Sequence, residues 1–277
     1  MFIPPKTFHT LASESIPRRA LVTGGASGLG YGVAAALLDT GAQVAIADID
    51  EASLRKAEAE MKNSRLLPIH MDVRSRQSVR AAVERCRVEF GGLDTLVNSA
   101  GIFSFVKLED IREEEWDRVM DINLKGVFLC CQAAAPLLRA SGRGRIVTVA
   151  SDAGQKAYPM ISNYCASKFG VIGFSQAIAG ELAPDRVTVN CVCPIGITST
   201  GMGQQVLDIL VATTGRSAEN ILAAREQSVP MRRMASVDDV VNAVMFFISD
   251  RSGFLTAETL NVDGGVLGTG VVPGIAD

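Results

Sequence analysis

Thr23-Gly24-Gly25-Ala26-Ser27-Gly28-Leu29-Gly30 stands between an apolar run, Arg19–Thr23, and an Ala/Leu-rich segment, Leu29–Asp39. Strand, glycine turn and helix in that order bring a helix N-terminus, with its unpaired N–H groups and positive dipole end, against a phosphate. The next strand-like run, Val44-Ala45-Ile46-Ala47, ends in Asp48, 24 residues beyond Gly24. A carboxylate there accepts hydrogen bonds from both hydroxyls of an adenosine ribose. It also repels a 2′-phosphate, and Ala26, Ser27 and Ile49 supply no Lys or Arg to offset it. The expected ligand is therefore a dinucleotide, NAD(H) rather than NADP(H).

Outward from this turn, apolar runs alternate with helix-length segments. Strands are expected at Arg19–Thr23, Gln43–Asp48, Leu66–His70, Thr95–Asn98, Arg145–Ala150, Arg186–Cys193 and Leu260–Val262. Helices are expected at Leu29–Asp39, Glu51–Lys62, Ser75–Phe90, Glu113–Arg139, Asn163–Leu182 and Val237–Ser249, the last opened by a Ser236/Asp239 capping box. Continuously apolar strands separated by helices imply an α/β fold, a doubly wound Rossmann-type seven-stranded parallel sheet with helices on both faces. No repeat or linker divides the chain, so residues 18–277 read as a single domain after an irregular N-terminal arm, 1–17. The stretch 198–230, rich in Gly, Thr and mixed charge, reads as a lid.

Composition narrows the function. With 48% hydrophobic residues and a net charge of −3 over 277 residues, the chain can bury a core, so disorder is excluded. It also lacks the basic excess that nucleic acid requires. No run approaches the roughly 20 apolar residues of a membrane span, and the N-terminus has no signal-peptide core. The expected location is cytoplasmic. The six cysteines read as buried small hydrophobes, Cys191 and Cys193 on one strand face, and no metal site is expected. His9 and His70 are the only histidines, and neither is placed for a His-centred triad.

Tyr164-Cys165-Ala166-Ser167-Lys168 supplies another acid/base group. On a helix Tyr164 and Lys168 lie one turn apart on one face, and an ammonium there favours the tyrosinate, whose ordinary pKa of about 10 is too high for a base at neutral pH. With the glycine turn, this motif resembles the short-chain dehydrogenase/reductase family: TGxxxGxG at Thr23–Gly30, YxxxK at Tyr164–Lys168, and Ser151 13 residues before the tyrosine. Asp72-Val73, Asn98-Ser99-Ala100-Gly101, Asn123 in Asp121–Gly126, and Asn261–Gly265 complete the resemblance over about residues 18–266. It implies that Tyr164 is the general acid/base and that Ser151 orients the substrate oxygen, both touching substrate. Lys168 also holds the nicotinamide ribose, and Asn123 supports a proton-relay water. It further implies a cofactor site made of Gly24, Ser27, Gly28, Leu29, Gly30, Asp48, Ile49, Asp72, Val73, Asn98, Ala100, Gly101, Tyr164, Lys168, Pro194, Ile197 and Thr198. Either Thr198 or Thr200 would give a hydroxyl contact.

The sequence departs from the family pattern at Ser99, at Ala150 and at Pro194-Ile195-Gly196-Ile197, where Pro-Gly is more frequent. Ala166, Gly170, Gly173 and Ala177 form a small-residue stripe suited either to the protein's own packing or to another subunit. The family usually forms homodimers or homotetramers, so a homo-oligomer is expected. Substrate selection should fall to Ile102–Phe105, Asp152–Ser162 and the lid. The expected reaction is hydride transfer between NAD(H) and a small or medium-sized secondary alcohol or ketone, cyclic or polyol substrates included. The alternatives are a 3-oxoacyl carrier-protein reductase, which Asp48 disfavours, and a non-catalytic NAD-sensing scaffold, which intact Ser151, Tyr164 and Lys168 disfavour.

Overall fold

The computed structural model describes residues 19–269. The arm expected at 1–17, with His9, lies outside them. Seven parallel strands, β1 Arg19–Thr23, β2 Gln43–Asp48, β3 Leu66–His70, β4 Thr95–Asn98, β5 Arg145–Val149, β6 Thr188–Pro194 and β7 Thr259–Val262, form one sheet in the order β3-β2-β1-β4-β5-β6-β7. The doubly wound sheet is as expected. Alternate strand residues feed two cores: Leu21, Leu96, Ile146, Cys191 and Cys193 face one side, while Val22, Val97, Val147 and Val192 face the other.

The helices α1 Gly28–Asp39, α2 Glu51–Met61 and α9 Val237–Ile248 cover the second face, and α3 Arg76–Phe90, α5 Gly126–Ala140 and α6 Ser162–Leu182 cover the first. The Ser236/Asp239 capping box opens α9. All six cysteines are buried and free, and burial pushes the Cys86, Cys131 and Cys191 thiols up to about 12. Those three are therefore inert packing groups at neutral pH. No helix among the described residues is long and apolar enough to cross a membrane. Leu96 is wholly buried in the central strand. Leu96→Ala is expected to cost about 3 kcal/mol, read from the urea unfolding midpoint.

One expectation needs correction. The helix expected at Glu113–Arg139 is two, α4 Glu113–Met120 and α5, joined by a wider π turn at Asp121–Lys125. The side chain of Asn123 leaves that turn to bind the backbone of Ile102, accepting from its N–H at 2.9 Å and donating to its carbonyl at 3.0 Å. The stretch 198–230, expected as a lid, contains α7 Gly201–Thr214 and α8 Ala218–Ser228, capped by Thr200 and Ser217.

Candidate active site

The carboxyl ends of β1, β4, β5 and β6 open on one cavity of about 790 Å³. The strand order reverses between β1 and β4, and ligands of open α/β sheets bind in the crevice at such a switch point. Thr23 ties the two sides together: its hydroxyl accepts from the N–H groups of Ser99 and Ala100, both at 3.2 Å. Gly24, at φ 61°, lies so close to β4 that an added Cβ would sit 2.8 Å from the Ala100 Cα. Gly30 packs against the Gly24 carbonyl, where a Cβ would collide. These two glycines bring the start of α1 down onto the strand ends.

That helix start, like those of α4, α5 and α6, has no side-chain cap. Side chains of Asp50, Ser75, Thr200, Ser217 and Ser236 cap α2, α3, α7, α8 and α9, but Ser27 makes no cap bond to α1, whose first turn holds no acidic residue. The first N–H groups of α1 therefore remain for an anion in the cavity, which Ser27, Gly28 and Leu29 line. Asp48 and Ile49 line it at the end of β2, with Asp48 accepting from Ala26 N–H at 3.3 Å and from Asp50 N–H at 3.2 Å. Asp72 and Val73 follow at the end of β3, where Arg74 holds Asp72 through contacts of 2.7 and 3.0 Å and keeps its carboxyl below the usual range. These groups suit a dinucleotide: donors for a pyrophosphate, then a carboxylate for a ribose.

At the other end, Ser151 ends β5 while Tyr164 and Lys168 reach in from α6, and all three line the cavity. The Ser151 hydroxyl accepts from Ala153 N–H at 3.1 Å and donates to Asp152 at 2.9 Å; the same carboxylate accepts from the Tyr158 hydroxyl at 2.8 Å. Phe103 packs edge-on against the Tyr164 ring at 5.1 Å. Lys168 Nζ donates to the Val149 carbonyl at 3.0 Å and lies 5.6 Å from the centre of the Tyr164 ring.

Burial pushes the Tyr164 phenol up, against the pull of its hydrogen bond with Ser151. This direction is opposite to the one expected from the lysine alone, because the apolar surroundings strip water from both groups. The same burial lowers the Lys168 ammonium to about 8. Folded Lys168 therefore holds its proton less tightly than unfolded Lys168, and stability rises with pH from about 8 to the ordinary lysine value of about 10.4. Below that window the buried charge destabilises the fold. Lys168→Met is expected to raise the unfolding free energy of the protein alone by about 2 kcal/mol at neutral pH, with the gain fading above about pH 10, as followed by urea denaturation.

Ala100, Gly101, Pro194 and Ile197 line the cavity. Four of the expected residues do not. Gly30 lies under the turn, and Asn98 is buried in the sheet, donating to the Thr148 hydroxyl at 3.2 Å. Asn123 is buried too, its amide shared between Ile102 and the Ser167 hydroxyl. Of the two threonines it is Thr200, not Thr198, that faces the cavity, and its hydroxyl caps α7 by accepting from Gly203 N–H at 3.1 Å. Arg74 and Arg225 also line it and were not anticipated. No local pattern marks Arg225, which stands one turn after Ile221, the one buried residue of α8.

The family model described as short chain dehydrogenase matches residues 18–211. The chain belongs to the short chain dehydrogenase family. It is accordingly an oxidoreductase acting between secondary alcohols and ketones. Among its family relatives, galactitol 2-dehydrogenase of Agrobacterium fabrum is 37% identical over 248 residues, covering 89% of this chain and 96% of that protein. The 3-oxoacyl-[acyl-carrier-protein] reductase of Staphylococcus aureus is 34% identical over 252 residues, covering 90% and 98%. A variant of actinorhodin polyketide ketoreductase solved with NADPH superposes with a TM-score of 0.86 at 32% identity, covering 90% of this chain and 97% of that one. This short chain dehydrogenase thus has relatives that differ in substrate over nearly their whole length.

Proposed function

We propose that this protein is an NAD(H)-dependent dehydrogenase or reductase of small to medium-sized secondary alcohols and ketones, with Ser151, Tyr164 and Lys168 as its catalytic residues. The observation that carries the proposal is their meeting in one cavity with the uncapped start of α1 and with Asp48. A bound nicotinamide would supply the hydride acceptor for oxidation and the donor for reduction. Ser27, Gly28, Asp48 and Lys168 are the residues that would hold the dinucleotide.

In the oxidative direction Tyr164 takes the proton of the substrate hydroxyl as the hydride leaves its carbon, and in reduction the phenol returns that proton to the carbonyl oxygen. Ser151 positions the same oxygen. Its hydroxyl is oriented by Ala153 N–H and Asp152, so the group is held before substrate arrives. Lys168, anchored on the Val149 carbonyl, adds positive charge that favours the phenolate when protonated. Asn123, joined to Ile102 and Ser167, acts on the site by fixing the loop after β4 against α6.

A screen of secondary alcohols and ketones with NAD and NADP, followed by absorbance of the reduced nicotinamide, tests this reading. Turnover with NAD supports it, while absence of turnover with every carbonyl compound and alcohol removes it in favour of a non-catalytic scaffold. The second reading, reduction of 3-oxoacyl carrier-protein substrates, draws on the Staphylococcus aureus relative and requires a preference for the thioester over free ketones.

We also propose a homo-oligomer. In α6, Gly170 packs on Leu124 of its own chain, whereas Gly173 and Ala177 are exposed beside Phe169, which is 45% exposed. Only the second half of the small-residue stripe therefore offers a face for another subunit, and sedimentation as a monomer at micromolar concentration would remove this part of the proposal.

A further inference from the structure

Among the described residues, six charged side chains line the cavity: Asp48, Asp72, Arg74, Asp152, Lys168 and Arg225. Five are engaged. Asp48 holds two backbone N–H groups, Arg74 and Asp72 hold each other, Asp152 accepts two hydroxyls, and Lys168 is given to Val149. Arg225 alone has no hydrogen-bond or ion-pair partner among the described residues. It is half-buried on α8, and its guanidinium lies against Gly196, occupying the space a side chain there would fill. The departure Pro194-Ile195-Gly196-Ile197 thus has a physical role, because the glycine makes room for the arginine.

A guanidinium keeps its charge in proteins and presents five donors and no acceptor. Removing it partly from water without a partner is unfavourable, and its proton affinity falls through that burial, with Asp152 opposing from beyond ion-pair distance. Asp152 cannot readily serve as the missing partner, since its two oxygens already hold Ser151 and Tyr158. Among the described residues no group completes the set, which leaves that place to something entering the cavity.

We infer that Arg225 is a specificity-determining residue that binds an anionic group of the substrate, a carboxylate, phosphate or sulfonate, carried on the same molecule as the reacting alcohol or ketone. The inference rests on the oxidoreductase reading of the cavity and names the substrate class for it. A pair of oxygens on such an anion suits the arginine fork, which binds them through two parallel N–H groups. Because α8 belongs to the stretch over the cavity, the anion would also tie that helix to the Pro194–Ile197 loop.

The test uses matched pairs of ketones of equal chain length, one member neutral and the other ending in a carboxylate, a phosphate monoester or a sulfonate, assayed with NADH. In the wild-type protein at least one charged member should exceed its neutral partner in kcat/KM by about 30-fold, the scale of one charge-assisted contact, and the best pair identifies the anion. Arg225→Met should remove this ratio through KM with kcat little changed, and Arg225→Lys should restore part of it. Arg216→Met, which removes an exposed charge just before α8, should preserve it. Equal kcat/KM for every pair, or an equal loss for charged and neutral members in Arg225→Met, overturns the inference and leaves the hydride-transfer reading intact. If no pair turns over, that reading falls, and calorimetry decides Arg225 separately: binding of the three anionic ketones to the NADH-loaded protein must be lost in Arg225→Met, and binding unchanged by the substitution overturns the inference.

Discussion

Tyr164→Phe is expected to lower kcat for both oxidation and reduction by about a thousandfold, the scale on which a positioned acid/base group contributes. The substitution removes one oxygen and keeps the ring, so the edge-on contact with Phe103 at 5.1 Å survives, and the affinity for NADH measured by fluorescence titration should change less than about threefold. The phenol carries a proton toward substrate in reduction and away from it in oxidation. Oxidation in the wild-type protein should therefore speed up with rising pH and reduction should slow, and both slopes should vanish in Tyr164→Phe. Activity that survives the substitution undamaged would remove Tyr164 from the mechanism.

Asp48→Ala should change the cofactor preference by more than about a hundredfold. The carboxylate ends β2 inside the cavity. One charge-assisted hydrogen bond to a ribose hydroxyl is worth about 2 kcal/mol, or about 30-fold in affinity for NADH. Removing the negative charge also relieves its repulsion of a 2′-phosphate, so NADPH should bind more tightly as NADH weakens. Paired titrations with the two cofactors measure the ratio. Tighter binding of NADPH by the unsubstituted protein would overturn the assignment of NAD, and Arg74, close by on Asp72, would then be the first residue to examine.

The sheet was legible because its inner strands β1, β2, β4, β5 and β6 are largely buried on both faces and read as apolar runs, whereas the edge strands β3 and β7 are only half-buried. The strand expected from Arg186 begins only at Thr188, since Arg186 takes a left-handed conformation at φ 60° where the chain leaves α6. The break between α4 and α5 was hidden, because the helical pattern runs through it and only the Asn123 bonds to Ile102 reveal the wider turn. The helices α7 and α8 were masked by Gly201, Gly203 and Gly215, although the caps Thr200 and Ser217 mark both starts. The glycine turn and the Ser151, Tyr164 and Lys168 set were visible because each carries a local spacing. Arg225 was not, since its importance depends on Gly196, which lies 29 residues earlier in the chain and touches it only in the folded protein.

The tether of Lys168 has a consequence for variation at this site. Its acceptor is the main-chain oxygen of Val149, which every amino acid at position 149 would provide. Val149 also lines the cavity. The size and polarity of the wall can therefore drift there while the lysine keeps its anchor, so new substrate preferences can arise at that position without first dismantling the catalytic apparatus.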